Sequence, residues 1–191
     1  MYIAKRTRPE ILPTAHFLST RVQQPTEEDA DKAYHCLRYL NGSKELGLRL
    51  NALDPVTVIQ YIDAAHGVHH NMKSHAGSMT TLGRGTLSAS SSAINMNTKS
   101  ACESEYIALS DHVTNAIFLR NFLVAQGYHM QPAKIMQDNQ AAIRLANNGF
   151  SSATRTRHIN IRYFFVKDRI AKGEIDIEYC PTKLMVADAL T

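Results

Sequence analysis

The stretch Val56-Thr57-Val58-Ile59-Gln60-Tyr61-Ile62-Asp63 decides the fold of this chain. Its β-branched and aromatic residues favour a strand, and turn residues stand on both sides of it, Pro55 before and Gly67 after. The pattern predicts a buried or half-buried central strand that ends in a carboxylate. An aspartate at a strand end is a weak functional signal by itself, because Asp also favours turns for its local hydrogen bonds.

Three further acidic residues stand where secondary structure can bring them to the same place. Asp138 follows a short predicted strand at 133–137, whereas Glu105 and Asp188 lie near the starts of predicted helices. Four clustered carboxylates repel one another unless cations lie between them, and hard divalent cations prefer oxygen ligands. The arrangement therefore predicts a magnesium site that Asp63 shares with these three residues.

The composition is that of a globular protein with one core. The chain has 191 residues, of which 44% are hydrophobic, enough for one domain and a short piece of a neighbouring one. It lacks the apolar run of about 18 residues that spans a membrane and the apolar run of a signal peptide, so we expect an intracellular protein. The net charge of +4 permits a polyanionic partner. The three cysteines have no metal-ligand or redox spacing.

Residues 1 to about 50 predict two helices. Thr26 is a favourable N-cap because the acidic residues 27–29 fill the first turn after it, and Gly42 is a natural end. The apolar positions at helical spacing are Ile11, Ala15, Leu18 and Val22 in the first helix and Ala30, Ala33, Leu37 and Leu40 in the second. A two-helix hairpin cannot bury both of these apolar stripes against itself.

Strand and helix patterns alternate after the first strand. The polar loop at 65–75 carries four histidines, and a solvated turn is favoured over a zinc site there because no cysteine and no second ligand cluster accompany them. Strands are predicted at 77–82, 86–94, 133–137 and 174–179, with Gly83-Arg84-Gly85 as a hairpin turn, and helices at 101–126, 139–147, 159–171 and 183–191.

Five short segments resemble, in the same order, the ribonuclease H region of the Pol polyprotein of copia-type LTR retrotransposons. They are ESEYIALS at 103–110, QDNQAAI at 137–143, RTRHINIRYFF at 155–165, EYCPT at 178–182 and ADALT at 187–191. Upstream, residues 4–11 and 36–42 resemble the end of the reverse transcriptase that precedes this nuclease. Five matches in one order are far more specific than any one of them.

The resemblance implies an α/β fold of the ribonuclease H type at residues 51–191, truncated at its C-terminus, with a five-stranded mixed sheet and helices on both faces. Residues 1–50 are then a helical remnant of a reverse transcriptase. The implied activity is hydrolysis of the RNA strand of RNA–DNA hybrids during reverse transcription, in cytoplasmic virus-like particles or in the nucleus. The implied partners are the hybrid and the upstream reverse transcriptase portion, with no membrane.

Two magnesium ions, or manganese in their place, are the cofactors that the resemblance implies. It makes Asp63 the bridging ligand, places Glu105 and Asp138 on one ion, and places Asp188 on the other. Glu103 lies two residues from Glu105 on the same predicted helix, so only one of them can face the site. The resemblance assigns that role to Glu105.

Contacts to the hybrid are predicted from polar and basic side chains. Asn139 and Gln140 are candidates for sensing ribose 2′-hydroxyls. A cluster of cations further along can follow a phosphate backbone, although a solvated basic helix face is the plainer interpretation of that cluster alone. The cations predicted to bind nucleic acid are Arg155, Arg157, His158 and Arg162.

Departures from the family pattern leave alternatives open. Asn160 stands where an aspartate is frequent, and the chain stops at Thr191, where relatives continue. The segment 183–191 is barely two helical turns long, so we expect it to fray and to hold Asp188 poorly. The runner-up is therefore an inactive, truncated remnant that keeps the fold and some nucleic-acid binding. A third interpretation is another nuclease of this fold, such as an integrase or resolvase, which the upstream reverse-transcriptase-like segment disfavours.

Overall fold

A five-stranded mixed sheet is the centre of the structure, a computed structural model that describes residues 1–148 and 157–191. The described strands are β1 (Asn51–Ala52), β2 (Ile59–Ala65), β3 (His75–Thr81), β4 (Gly83–Arg84), β5 (Ser88–Ala93), β6 (Ala133–Gln137) and β7 (Ile175–Tyr179). The main sheet has the order β5-β3-β2-β6-β7. In it β3 runs antiparallel to β2 and β5, whereas β6 runs parallel to β2 and β7.

Helices surround this sheet. The described α-helices are α1 (Tyr2–Arg6), α2 (Leu12–Thr20), α3 (Glu27–Gly42), α4 (Ala101–Ala125), α5 (Gln140–Asn148) and α6 (Arg157–Ala171). Short 3-10 segments lie at Pro9–Ile11, Thr182–Leu184 and Val186–Leu190, and we refer to the last two as the C-terminal turns. Among the described residues, no helix combines the length and the apolar character that crossing a membrane requires.

Alternate residues of β2 face two different layers, because successive side chains of a strand point to opposite sides. Ile62 and Ala64 belong to the main core cluster, which lies between the sheet and α4. Tyr61 points the other way and packs against Met185 and Ala187 of the C-terminal segment. The predicted sheet with helices on both faces is therefore confirmed.

The N-terminal helices lie on the same face as the C-terminal turns. Ala4 of α1 and Leu12 of α2 are buried together with Leu190, and Met79 of β3 packs against them. The predicted N-terminal helical region packs against the rest of the fold through this small core. The same core brings residues near both ends of the described chain together against β3.

The predicted order of strands and helices in residues 51–191 is confirmed, and most bounds agree within two residues. The first strand is an exception, because its ladder with β3 continues to the pair Ala65 and His75. Asp63 consequently lies inside β2, opposite Gly77, and not at the strand's end as predicted. The predicted hairpin turn at 83–85 is also more than a turn, since its first two residues form β4 and pair with β1.

Helix α3 begins where the sequence predicts. Thr26 and Asp29 form a capping box, in which the Asp29 backbone N–H donates to the Thr26 hydroxyl and the Thr26 N–H donates to the Asp29 carboxylate. The apolar stripe of this helix is not fully buried, because α3 packs against α2 and leaves Leu37 59% exposed, in keeping with the expectation that the hairpin cannot bury both stripes. Helix α1 was not predicted, since five residues are too few to show a helical period.

Two 3-10 turns take the place of the α-helix predicted at 183–191. Ala187 and Leu190 are buried, as expected for an apolar edge that docks, whereas Leu184 is 64% exposed and does not dock. The two docked residues are three positions apart, which fits the three residues per turn of a 3-10 helix. The fraying expected of this segment concerns motion and stays a prediction.

Histidines link α2 to the sheet. His75 belongs to β3 and not to the predicted polar loop, and its two ring nitrogens lie 2.9 Å from His69 Nε2 and 2.8 Å from Ser91 Oγ. His16 of α2 meets the His75 ring edge-on, with centroids 5.3 Å apart. Burial lowers the pKa of His75 to about 4, so this imidazole is neutral at neutral pH. Of the four histidines of the predicted loop, His66 and His70 are exposed in the turn as predicted, whereas His75 packs against His69 and against His16 of α2.

Gly77 of β3 permits the close approach of the C-terminal turns. An added Cβ would lie 2.8 Å from the Ala187 carbonyl oxygen and 2.9 Å from Leu190 Cβ. We expect Gly77→Ala to lower the free energy of unfolding by about 1–3 kcal/mol, the usual range for overpacking. Denaturant unfolding measures this loss.

The matched control for this prediction is Gly42→Ala, because nothing lies within 4 Å of a Cβ added at the end of α3. Alanine is the better helix former, so this control should keep or slightly raise the stability. Equal losses for the two variants would contradict the steric account of Gly77.

Candidate metal centre

Three carboxylates converge at one end of the sheet. Asp63 lies in β2, Glu105 in the first turns of α4, and Asp138 directly after β6. One oxygen from each lies within 4.8 Å of the other two. Asp63 and Glu105 are buried, and Asp138 is half-buried. The structure thus brings together three of the four acidic residues that the sequence predicted.

Backbone geometry explains why the carboxylates of Asp63 and Asp138 meet. Strands β2 and β6 are parallel neighbours, with Tyr61 opposite Met136. Asp63 and Asp138 are each two residues further along, so their carboxylates emerge side by side. Glu105 reaches the same place because α4 lies across β2 and begins a few residues earlier, at the N-cap Ser100.

Threonine hydroxyls hold two of the carboxylates from the C-terminal segment. Thr182 Oγ1 donates to Asp138 Oδ2 over 2.8 Å, and Thr191 Oγ1 donates to Asp63 Oδ2 over 2.9 Å. Both donors are neutral, so they orient the carboxylates without cancelling their charge. Neither threonine was predicted from the sequence, because 44 residues separate Thr182 from Asp138 and 128 residues separate Thr191 from Asp63.

An amide holds the third carboxylate. Gln137, the last residue of β6, donates from Nε2 to Glu105 Oε2 over 3.1 Å, and its side chain is fully buried. This residue was not predicted either, although the strand pattern contains a sign of it. Ala133, Ile135 and Gln137 alternate along β6 and all three are buried, and a polar residue is unusual at such a position.

Glu103 and Glu105 have different roles on α4. Glu103 Oε2 accepts from the Lys99 backbone N–H over 2.7 Å, and the Glu103 N–H donates to the Ser100 hydroxyl. Glu103 therefore caps the exposed start of the helix. Glu105 faces the other two carboxylates, as the family resemblance implied.

Asp188 stands apart from the other three. It is exposed on the C-terminal turns and does not belong to the group whose oxygens lie within 4.8 Å of one another. Its charge still contributes to the raised pKa of Asp63, so it lies close enough to influence the site. The structure therefore places Asp188 beside the cluster rather than in it.

Burial and mutual repulsion raise the pKa of two of the clustered carboxyls. Burial is the largest cause for Glu105 and the charge of Asp63 is next, and together they raise the pKa of Glu105 to about 8. The pKa of Asp63 is also raised, first by burial and then by the charges of Asp138 and Asp188, against the opposing effect of the Thr191 hydroxyl. With no cation bound, Glu105 is protonated at neutral pH.

The donor set fits a hard divalent cation. Among the side chains that the structure describes, at 1–148 and 160–191, none of the ion pairs includes Asp63, Glu105 or Asp138, so their charge has no basic partner there. All three ligands are carboxylate oxygens, which Mg²⁺ and Mn²⁺ prefer over the nitrogen and sulfur ligands that suit zinc. The raised pKa values show how unfavourable the cluster is without positive charge.

The predicted hybrid contacts next to Asp138 have different environments. Asn139 Oδ1 accepts from the backbone N–H groups of Ala141 and Ala142, over 3.0 and 3.1 Å, and so caps the start of α5. This structural role was not predicted. Gln140 is exposed at the first position of the same helix.

The predicted basic contacts lie on or before α6. Arg162 is in an ion pair with Asp111 of α4. Arg155 lies outside the described residues, and the side chains of Arg157 and His158 are likewise outside the description, although both residues belong to α6. The assignment of these cations to nucleic-acid binding stays a prediction.

The chain is similar over its whole length to Pol polyproteins of plant transposons. It is 31% identical over 192 aligned residues to the retrovirus-related Pol polyprotein from transposon TNT 1-94 of Nicotiana tabacum, which covers 100% of this chain. It is 30% identical over 188 residues to that from transposon RE1 of Arabidopsis thaliana, covering 97%. The chain spans 14% of the first polyprotein and 13% of the second. No family model matches it.

Solved ribonuclease H structures share the fold. The N-terminal RNase H domain of a Mycobacterium tuberculosis protein matches with a TM-score of 0.52 and 18% identity, over 71% of this chain and 91% of that one. An RNase H1 isolated from compost matches with a TM-score of 0.53 and 19% identity, over 70% and 91%. At such identities the likeness establishes the fold alone.

The raised pKa of Glu105 predicts how stability depends on pH without metal. Because the folded state keeps this proton up to about pH 8 while an ordinary Glu loses it near 4.5, stability should fall as pH rises through this window. Between pH 6.5 and 8 we expect Glu105 to account for a loss of about 1.5 kcal/mol, since one proton per pH unit is worth about 1.4 kcal/mol. The lowered pKa values of His16, His75 and His112 act in the opposite direction, because the unfolded chain still releases those protons above pH 6.5, so the loss is read as the difference between the wild type and Glu105→Gln. Urea unfolding in EDTA measures it.

The control variants for this pH dependence are Glu105→Gln and Glu103→Gln. The first removes the titrating group, so the stability of the wild type relative to Glu105→Gln should fall as pH rises through this window, whereas the second should keep the wild-type slope. A difference between wild type and Glu105→Gln that does not change with pH would contradict the raised pKa.

Proposed function

The homologues of this chain are retrovirus-related Pol polyproteins of copia-type transposons and its fold is that of ribonuclease H, and on this premise we propose that it hydrolyses the RNA strand of RNA–DNA hybrids during reverse transcription. The observation that carries the proposal is the convergence of Asp63, Glu105 and Asp138 without a basic partner among the described residues. The nuclease names of two solved structures with the same fold support the reaction class in this proposal.

In this proposal Asp63, Glu105 and Asp138 hold one Mg²⁺ ion and Asp188 helps to hold a second, with Mn²⁺ as a substitute. When bound, such ions lower the pKa of an attacking water and stabilise the negative charge that develops on the phosphate. Asp63 is the shared ligand, because the charges of both Asp138 and Asp188 act on it. Glu105 must release its proton for the first ion to bind, which ties metal affinity to pH.

Side chains near the cluster would position the hybrid. Gln140 is the better placed candidate for a ribose 2′-hydroxyl, because it is exposed two residues after Asp138, whereas the oxygen of Asn139 is already engaged in capping α5. Arg162 would have to exchange Asp111 for a phosphate. We retain Arg155, Arg157 and His158 as proposed phosphate contacts on the strength of the family resemblance.

We also propose that residues 1–50 correspond to the end of the reverse transcriptase and residues 51–191 to the nuclease. The contact of α1 and α2 with Leu190 supports a fixed orientation between the two parts. On this proposal the reverse transcriptase portion of the same polyprotein is a partner of this chain.

A substrate panel tests the proposed function. With Mg²⁺ or Mn²⁺ present, we expect cleavage of the RNA strand in an RNA–DNA hybrid and none of duplex DNA or duplex RNA, and EDTA should abolish it. Comparable cleavage of duplex DNA would favour an integrase or resolvase. Binding of the hybrid without cleavage would favour the inactive remnant.

Carboxylate substitutions test the assigned ligands. Asp63→Asn, Glu105→Gln and Asp138→Asn should each lower the cleavage rate by more than about 100-fold, since each removes a direct metal ligand. Each should leave the fold intact or slightly stabilised, because removing one charge relieves repulsion. Thermal unfolding of each variant without metal checks the fold.

Glu103→Gln is the matched control for these substitutions, because Glu103 caps the helix two residues from the cluster. It should retain most of the activity. An inactive Glu103→Gln together with an active Glu105→Gln would reverse the assignment on α4.

A further inference from the structure

Gln137 occupies a position where a buried amide needs an explanation. Its side chain is 0% exposed on the face of β6 that α4 covers, and its backbone is held by the Cys180 N–H, which donates to the Gln137 carbonyl oxygen over 2.9 Å. Its Nε2 donates to Glu105 Oε2 over 3.1 Å. Its Oε1 has no hydrogen-bond partner among the described residues. Leaving such a group unpaired is unfavourable by roughly 1–3 kcal/mol.

A second glutamine provides an internal comparison. Gln60 lies on the neighbouring strand β2, opposite Ile135, and is also 0% exposed on the same sheet face. Its Nε2 donates to the backbone carbonyl of His112 over 3.0 Å, and its Oε1 likewise has no partner among the described residues. The two amides therefore differ in their acceptors, a carboxylate for Gln137 and a backbone carbonyl for Gln60.

The acceptor of Gln137 is a group whose orientation matters. The Glu105 carboxylate is the end of a long side chain, and rotation about its terminal bond exchanges its two oxygens. The Gln137 amide fixes one oxygen, Oε2, on the protein side. Because the amide is neutral and fully buried, it fixes this orientation without competing for the charge that a cation would neutralise.

We propose that Gln137 is a positioning residue that orients the Glu105 carboxylate for divalent metal binding. The proposal rests on the proposed function, since it assigns to Glu105 the role of a metal ligand. Gln137 does not touch the metal or the substrate and acts through Glu105. Residues that orient metal ligands in this way typically contribute 10–100-fold to metal affinity.

Calorimetric titration of Mn²⁺ into the folded chain without nucleic acid tests the proposal. Gln137→Met keeps a long unbranched side chain and removes both amide atoms, and it should weaken Mn²⁺ binding by about 10-fold. Gln60→Met makes the same change on the next strand and should alter the affinity less than about twofold, because its partner is a backbone carbonyl. In EDTA, thermal unfolding should show similar, small changes in stability for the two variants, since each loses one hydrogen bond together with one unpaired buried oxygen.

A double-variant cycle separates positioning from general packing. In the Glu105→Gln background, Gln137→Met should change the remaining Mn²⁺ affinity less than about twofold, because the carboxylate through which it acts is gone. If Gln137→Met does not fold, Gln137→Asn replaces it, since this variant keeps an amide but withdraws it by one methylene. It should weaken Mn²⁺ binding in the same direction.

The outcomes distinguish this proposal from the proposed function. Wild-type protein that binds neither Mn²⁺ nor Mg²⁺ would overturn the proposed function, and this inference with it. Wild-type binding with an unchanged affinity in the Gln137 variant would overturn the inference alone. Equal weakening by Gln60→Met, or an undiminished effect of Gln137→Met in the Glu105→Gln background, would also overturn it.

Discussion

Repulsion among three carboxylates within 4.8 Å of one another is the constraint on which the site depends. The fold holds them together because β2 and β6 are paired in parallel and α4 is packed across β2. Part of the repulsion is removed by the proton that Glu105 keeps up to about pH 8. On the proposed function a divalent cation would take the place of that proton and add one further positive charge.

The C-terminal segment completes the site from the opposite side of the sheet. It supplies the hydroxyls of Thr182 and Thr191 to two of the carboxylates, and Asp188 beside them. This segment docks on the bare backbone of Gly77, where a side chain would collide with it. The geometry of the clustered carboxylates therefore depends on packing at a position that carries no functional group.

The sequence predicted the features that repeat or that follow a strand. Asp138 was placed correctly because Ala133–Gln137 reads as a strand on its own, and the order of elements followed from such local patterns. Helical spacing alone did not separate Glu103 from Glu105, since the choice depends on which side of α4 meets the sheet. The bond from Thr191 to Asp63 spans 128 residues, so it exists only in the folded chain.

Diffraction from crystals grown with Mn²⁺, recorded with anomalous scattering, tests the central claim most directly. The account predicts an anomalous peak bonded by oxygens of Asp63, Glu105 and Asp138, with Gln137 Nε2 still donating to Glu105. It also predicts that the peak disappears in Asp63→Asn crystals. A cluster without Mn²⁺ at saturating concentration, or a peak confined to His69 and His75, would contradict it.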